Sequence, residues 1–133
     1  MRRIDLAFLM LAVLLLLVGV CLGIGMGIAH DFLYAPVHAH INLVGWVSLA
    51  LFGLTYRAYP ALGNSWLAPV HFGFAATGAI LFPVGIALSI AGVTIAVAIV
   101  GSFIFLAAVL LFLANLARIA SVAPSSSVLQ PAE

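Results

Sequence analysis

Most of the chemistry open to this sequence lies in four histidines, and two of them, His38 and His40, are separated by a single alanine. Imidazole is a general metal ligand and suits iron, copper and zinc. Pro36 just upstream marks a helix start, so the pair falls in the first turns of a helix. At about 100° per residue, side chains two positions apart diverge by roughly 200°. One chain therefore aims two imidazoles at opposite walls. A single site using both types needs a second copy of the chain; otherwise there are two sites. Asn42 and the small residue Gly45 continue the segment and suit a flat ligand packed between helices. His30 and Asp31 read as solvated loop residues, with a place near a cofactor's acidic groups as the functional reading of His30.

The elements that position these groups follow from composition. With 67% hydrophobic and 5% charged residues, the chain lies far outside the soluble range, and lipid must be its solvent. The four arginines, with no lysine, form no basic tract, which excludes nucleic acid as a partner. A bilayer core of about 30 Å takes roughly 20 apolar residues per helix, with every backbone polar group satisfied inside it. Four stretches qualify, at residues 6–29, 37–59, 66–91 and 95–119. The first follows Met1-Arg2-Arg3 and exceeds the apolar core of a signal peptide, so it reads as a retained helix. Val20 before Cys21 fits a lipoprotein cleavage site poorly, and Cys21 reads as a packed thiol.

Turn chemistry separates the helices: His30-Asp31 to Pro36, Pro60 to Ser65 with Gly63 and Asn64, and a tight Ala91-Gly92 link. Loops this short make neighbours antiparallel. The fold expected is all-α: a four-transmembrane-helix domain over residues 1–120 and a flexible tail over 121–133, where prolines and serines collect. Arg2, Arg3, Arg57 and Arg118 all fall at helix ends on one side, which the positive-inside rule assigns to the cytoplasm together with both termini. His38 and His40 then lie near the outer face. His71 lies near the inner one, too far to share an ion with them, and packing or a hydrogen bond is its expected role. Gly45, Gly53, Gly78 and Gly101 allow close helix approach. Tyr56, Arg57, Trp46 and Trp66 read as interfacial or packing residues.

The run from His38 to Pro60, HAHINLVGWVSLALFGLTYRAYP, resembles helix ten of the catalytic subunit of haem–copper oxidases, most closely the cbb3-type branch. The stretch from His71 to Gly78, HFGFAATG, looks like the start of helix eleven. The two matches fall within a span of about forty residues, 38–78; the first and last helices correspond only in hydropathy. That subunit has twelve helices in three similar groups of four around a pseudo-threefold axis. The resemblance thus implies that this chain is equivalent to one third of it, and that a homotrimer rebuilds the twelve-helix ring. In the family the first histidine of the pair holds the active-site haem and the second the low-spin haem. Carried over by pseudosymmetry, His38 of one subunit would face His40 of the next across a b-type haem, with His38 and His40 as metal ligands and Asn42, Gly45 and His30 around the cofactor.

The departures count equally. The chain lacks a further histidine cluster for the copper site, a tyrosine cross-linking motif and an outer arginine pair for haem propionates, so oxygen reduction is not expected of it alone. The resemblance implies a haem b protein of a bacterial-type inner membrane, acting in electron transfer or redox sensing with a redox partner. Two alternatives stay open: a haem protein with an open coordination position that responds to NO or O2, and a haem-free protein. The latter would bind copper or zinc through His30, His38 and His40, or assemble with oxidase subunits.

Overall fold

A computed structural model describes residues 3–121. Among them run four antiparallel helices, each long and apolar enough to cross a membrane: α1 (Ile4–Ala29), α2 (Ala35–Ala58), α3 (Leu67–Ile90) and α4 (Ala96–Ala120). Every boundary lies within two residues of the position expected from the sequence. The chain is an all-α, multi-pass membrane protein. The tail expected to be flexible lies outside the described residues apart from Ser121, as does Arg2.

Each boundary has a local cause. Two Schellman closures end α1 and α3 by returning backbone N–H groups to the last carbonyls. At α3, Val93 donates to Leu88 O at 2.9 Å, with Gly92 left-handed at φ 73°. At α1, Asp31 donates to Met26 O at 3.2 Å, and the left-handed residue is His30, at φ 52°. The Asp31 carboxylate then accepts from Leu33 N at 3.0 Å, turning the chain into α2, where Pro36 sits in the first turn. At the far end of α2, Pro60 holds Tyr59 out of helical geometry. A 3-10 turn over Pro60–Asn64 follows.

Helix α2 is not uniform. From Ile41 to Ser48 it winds as a π-helix, and the Ser48 hydroxyl donates to Leu43 O, five residues back, at 2.8 Å. A π segment turns less per residue than an α-helix. The half of α2 that carries Tyr56 is therefore rotated relative to the half that carries His38 and His40, compared with a straight α-helix.

Helix packing relies on glycine. A Cβ on Gly78 would lie 2.7 Å from Phe105 N and one on Gly101 would lie 2.6 Å from Phe82 N, so α3 and α4 touch backbone to backbone there. Gly85, set against the Ala98 backbone, is a third such point. Between α1 and α2, Gly45 seats Leu15 and Gly53 seats Phe8. The densest core, built on Phe8, Leu49, Phe52, Tyr56 and Leu62, lies toward the end that carries the arginines. There Asp5 lies 3.7 Å from Arg3 and 3.5 Å from Arg57. The outward faces are apolar, as lipid demands. Cys21 lies on one of them, exposed rather than packed as expected; α1 is apolar around its whole circumference, so its sequence gave no sign of which face turns inward.

Candidate functional site

Polar groups collect at both ends of the bundle. At the first, His38 and His40 leave α2 in different directions, as the two-residue spacing requires. His38 turns to α1, where its Nδ1 lies 2.8 Å from Gly19 O. A carbonyl only accepts, so Nδ1 carries the proton and Nε2 keeps its lone pair. His40 makes the same choice with another partner: its Nδ1 donates to Pro36 O at 2.7 Å, while its ring edge meets Phe82 of α3 at a centroid distance of 4.8 Å. Both imidazoles are therefore oriented through Nδ1–H by a backbone carbonyl and carry no proton on Nε2.

Asn42 lies one turn below His38, donates to His38 O at 2.8 Å and keeps its amide nitrogen 3.5 Å from His38 Nε2. Two glycines of α1 make room for this pair. A Cβ on Gly23 would lie 2.8 Å from His38 Cε1, and one on Gly19 would lie 2.7 Å from the Asn42 amide nitrogen. The structure thus joins His38 and Asn42 and leaves His40 on another side of the helix. Gly45 is buried against Leu15 and belongs to the α1 contact. His30 is exposed in its helix-ending turn, apart from the pair. Among the described residues no three of His, Cys, Asp and Glu come together as ligands for one ion. An apolar groove of about 400 Å³ opens between α1, α2 and α3 at this end, lined by Val18, Val37, Ile41, Pro83 and Val84, with Tyr34 beside them.

At the opposite end lies a buried chain of polar side chains. Arg118 donates to Asn115 Oδ1 through Nε at 3.1 Å and through Nη2 at 3.0 Å, and to Ala61 O at 3.0 Å. The Asn115 amide nitrogen donates to Leu62 O at 3.1 Å and to the Tyr56 hydroxyl at 3.2 Å. Tyr56 Oη lies 3.1 Å from His71 Nδ1. Donor counting fixes every proton. Arg118 can only donate and Leu62 O only accept, so the Asn115 amide has one orientation. Tyr56 then receives a proton from Asn115 and gives its own to His71 Nδ1. His71 is left as the Nε2–H tautomer, opposite to His38 and His40.

His71 has no exposed surface, and its Nε2 has no hydrogen-bond partner among the described residues. Aromatic rings surround it: Phe8 at 5.0 Å, Phe112 at 5.2 Å and Phe52 edge-to-face at 4.7 Å. The hydrogen bond expected for His71 is present, and its distance from the His38 pair follows from Tyr56 lying roughly 25 Å along α2 from His38. Tyr56, expected as an interfacial or packing residue, is 3% exposed and central to this chain. Neither Asn115 nor the pair Gly19 and Gly23 stood out in the sequence. One signal was available: Asn115 is the asparagine of an otherwise apolar final helix, three residues before Arg118 and so on the same face.

No family model, curated protein or solved structure matches the chain.

Proposed function

We propose that this chain is a haem-binding membrane protein that carries electrons or senses redox state. A b-type haem would be held between subunits of a homotrimer, by His38 of one subunit and His40 of the next. The observation supporting it is the matched tautomer: both rings commit Nδ1–H to a backbone carbonyl, at 2.8 Å and 2.7 Å, leaving Nε2 unprotonated, with only a long 3.5 Å contact from the Asn42 amide on that of His38. Divergence of the two rings on one helix keeps them from a common iron within one chain, so the fit to haem is a fit between copies. Gly19 and Gly23 orient His38, Pro36 orients His40, and Asn42 places an amide beside the His38 ring. The haem itself would supply the one-electron couple. With the arginine end cytoplasmic, as in the positive-inside pattern of a bacterial-type inner membrane, this haem would lie near the outer face and both termini inside.

The test is the absorption spectrum of the detergent-purified protein, oxidised and dithionite-reduced, with its mass in solution. A low-spin b-type spectrum in a trimer supports the proposal. A colourless protein from haem-replete cells overturns it. Stoichiometric copper or zinc would then assign the histidines to a different metal, and co-purified oxidase subunits would assign the chain to assembly.

A further inference from the structure

We infer that a cavity at the arginine end of the bundle holds the phosphate of an anionic phospholipid, whose acyl chains lie along the exposed side of α2. The site is at the opposite end from the histidines and stands whether or not the chain binds haem.

The cavity measures about 240 Å³ and lies where the start of α1, the end of α2 and the Pro60–Asn64 turn meet; Arg3, Asp5, Tyr56, Arg57, Gly63 and Asn64 line it. That is below the roughly 300–1,000 Å³ of a pocket for a drug-sized molecule, and suits a headgroup. Its charges do not balance, since two guanidinium groups face one carboxylate. Nor does that carboxylate satisfy them. Arg3 Nε lies 3.7 Å and Arg57 Nη1 3.5 Å from Asp5, beyond the roughly 2.7–2.9 Å of a charge-assisted hydrogen bond. Neither guanidinium makes a hydrogen bond among the described residues, although Arg118 at the same end makes three. Asp5 is the sheltered member, its side chain 13% exposed against 61% for Arg3 and 69% for Arg57. The arginines therefore present planar forks of N–H donors at the mouth of a cavity, and such forks match the oxygens of a phosphate. A phosphodiester with a single negative charge would balance the excess positive one.

Position favours a lipid over a free phosphate ion. Tyr59 and Trp66 flank the turn that lines the cavity and are 57% and 72% exposed; exposed aromatic residues at the end of a membrane helix mark the headgroup level. Leu54 precedes Arg57 by one turn and so adjoins it on the helix surface, and Leu51 continues the row. Both are exposed. A phosphate held by Arg57 thus brings its acyl chains onto an apolar row that nothing else covers among the described residues, and basic pockets at helix ends are suited to anionic headgroups.

The experiment is native mass spectrometry of the delipidated full chain offered phosphatidylglycerol and phosphatidylcholine in equal amounts, with inorganic phosphate titrated separately by calorimetry. The variants are R3Q, R57Q, D5N, D31N and the triple R3Q/D5N/R57Q, each checked for fold by size-exclusion profile and helix content. Wild type should prefer phosphatidylglycerol by at least about fivefold, and R3Q and R57Q should each weaken its binding by about threefold, as suits exposed charges. D5N should tighten binding by about twofold or more, because it removes the competing carboxylate. D31N makes the same charge change at the opposite end of α1 and should match wild type. The triple variant strands no charge, so it remains informative if a single arginine variant misfolds, and it should show no preference between the lipids. Equal binding of both lipids by wild type, a preference that survives in the triple variant, or an effect of D31N equal to that of D5N would each overturn the inference. Inorganic phosphate bound as tightly as phosphatidylglycerol, and lost in the triple variant, would assign the cavity to a free anion and overturn the lipid assignment. None of these outcomes touches the haem reading, which the absorption spectrum decides by itself.

Discussion

Replacing Asn115 by leucine removes four hydrogen bonds while keeping the side chain's approximate volume. The bonds lost are those to Tyr56 Oη and Leu62 O and the two from Arg118. Interhelical hydrogen bonds in membrane proteins average about 0.6 kcal/mol, so the two neutral ones contribute about 1 kcal/mol together. The two from Arg118 are charge-assisted, a class of about 1.5 kcal/mol or more each. Arg118 is at the end of the bundle, keeps Ala61 O and can turn to water, so about half of that remains as a loss. The sum is about 3 kcal/mol, with the buried Tyr56 hydroxyl deprived of its donor. The assay is reversible unfolding in mixed micelles titrated with a denaturing detergent, read by helix content. A loss below about 1 kcal/mol would refute the reasoning, because it would mean that the chain is satisfied equally well without its hub. A double-mutant cycle with Tyr56→Phe isolates the link itself, expected near 1 kcal/mol; strict additivity would show that the 3.2 Å contact carries no energy.

Four further outcomes follow from the same geometry. His71→Phe should destabilise by about 1–2 kcal/mol, because it strands the Tyr56 proton in a dry cage; adding Tyr56→Phe to that variant should recover part of the loss in the same assay. In wild type, nitrogen-15 spectra should show His71 protonated at Nε2 and His38 and His40 protonated at Nδ1, and a common tautomer for all three would contradict the donor count. Gly85→Ala should cost about 2 kcal/mol by overpacking against the Ala98 backbone, whereas Gly73→Ala, with open space around it, should be neutral or slightly stabilising in unfolding. His30→Gly should raise the melting temperature or leave it unchanged, since it relieves a left-handed residue at φ 52°; a fall of several degrees would assign His30 a contact that its exposed position does not show.

The fold was largely legible because lipid imposes a simple rule. A helix must be about 20 apolar residues long, and prolines, glycines and one Asx turn mark where each stops. The faces of the helices were not legible in the same way. In α1, with only Asp5 and Cys21 as partial exceptions, every residue is apolar or glycine, so periodicity carries no direction. The role of Gly19 and Gly23 emerges only from what α2 places opposite them. In α2 the π segment breaks the 100° count. Extrapolating from His38 across Ile41–Ser48 would misplace Tyr56, so the sequence left open whether it packs or lies at the interface. The divergence of His38 from His40 was legible because both lie before the π segment, in regular helix.

The two polar ends also differ in how they treat their lone pairs, and that difference separates structure from function. At the arginine end every strong acceptor is used: Asn115 Oδ1 takes two donors, Tyr56 Oη one and His71 Nδ1 one. The buried side-chain group left without a partner among the described residues is an N–H, that of His71 Nε2, among aromatic rings whose faces are weak acceptors. Such a chain ties α2, the Pro60–Asn64 turn, α3 and α4 together and offers nothing to an electrophile. At the histidine end the lone pair without a donor among the described residues is that of His40 Nε2, on a half-buried ring whose Nδ1 is already fixed, while His38 Nε2 has only the long 3.5 Å contact from the Asn42 amide. Leaving the His40 nitrogen without a donor costs stability in the isolated chain, and binding there would recover it. The HxH end is therefore where a metal should be sought, and the Tyr56–His71–Asn115–Arg118 chain is the rigid frame that holds α2 in place while it is bound.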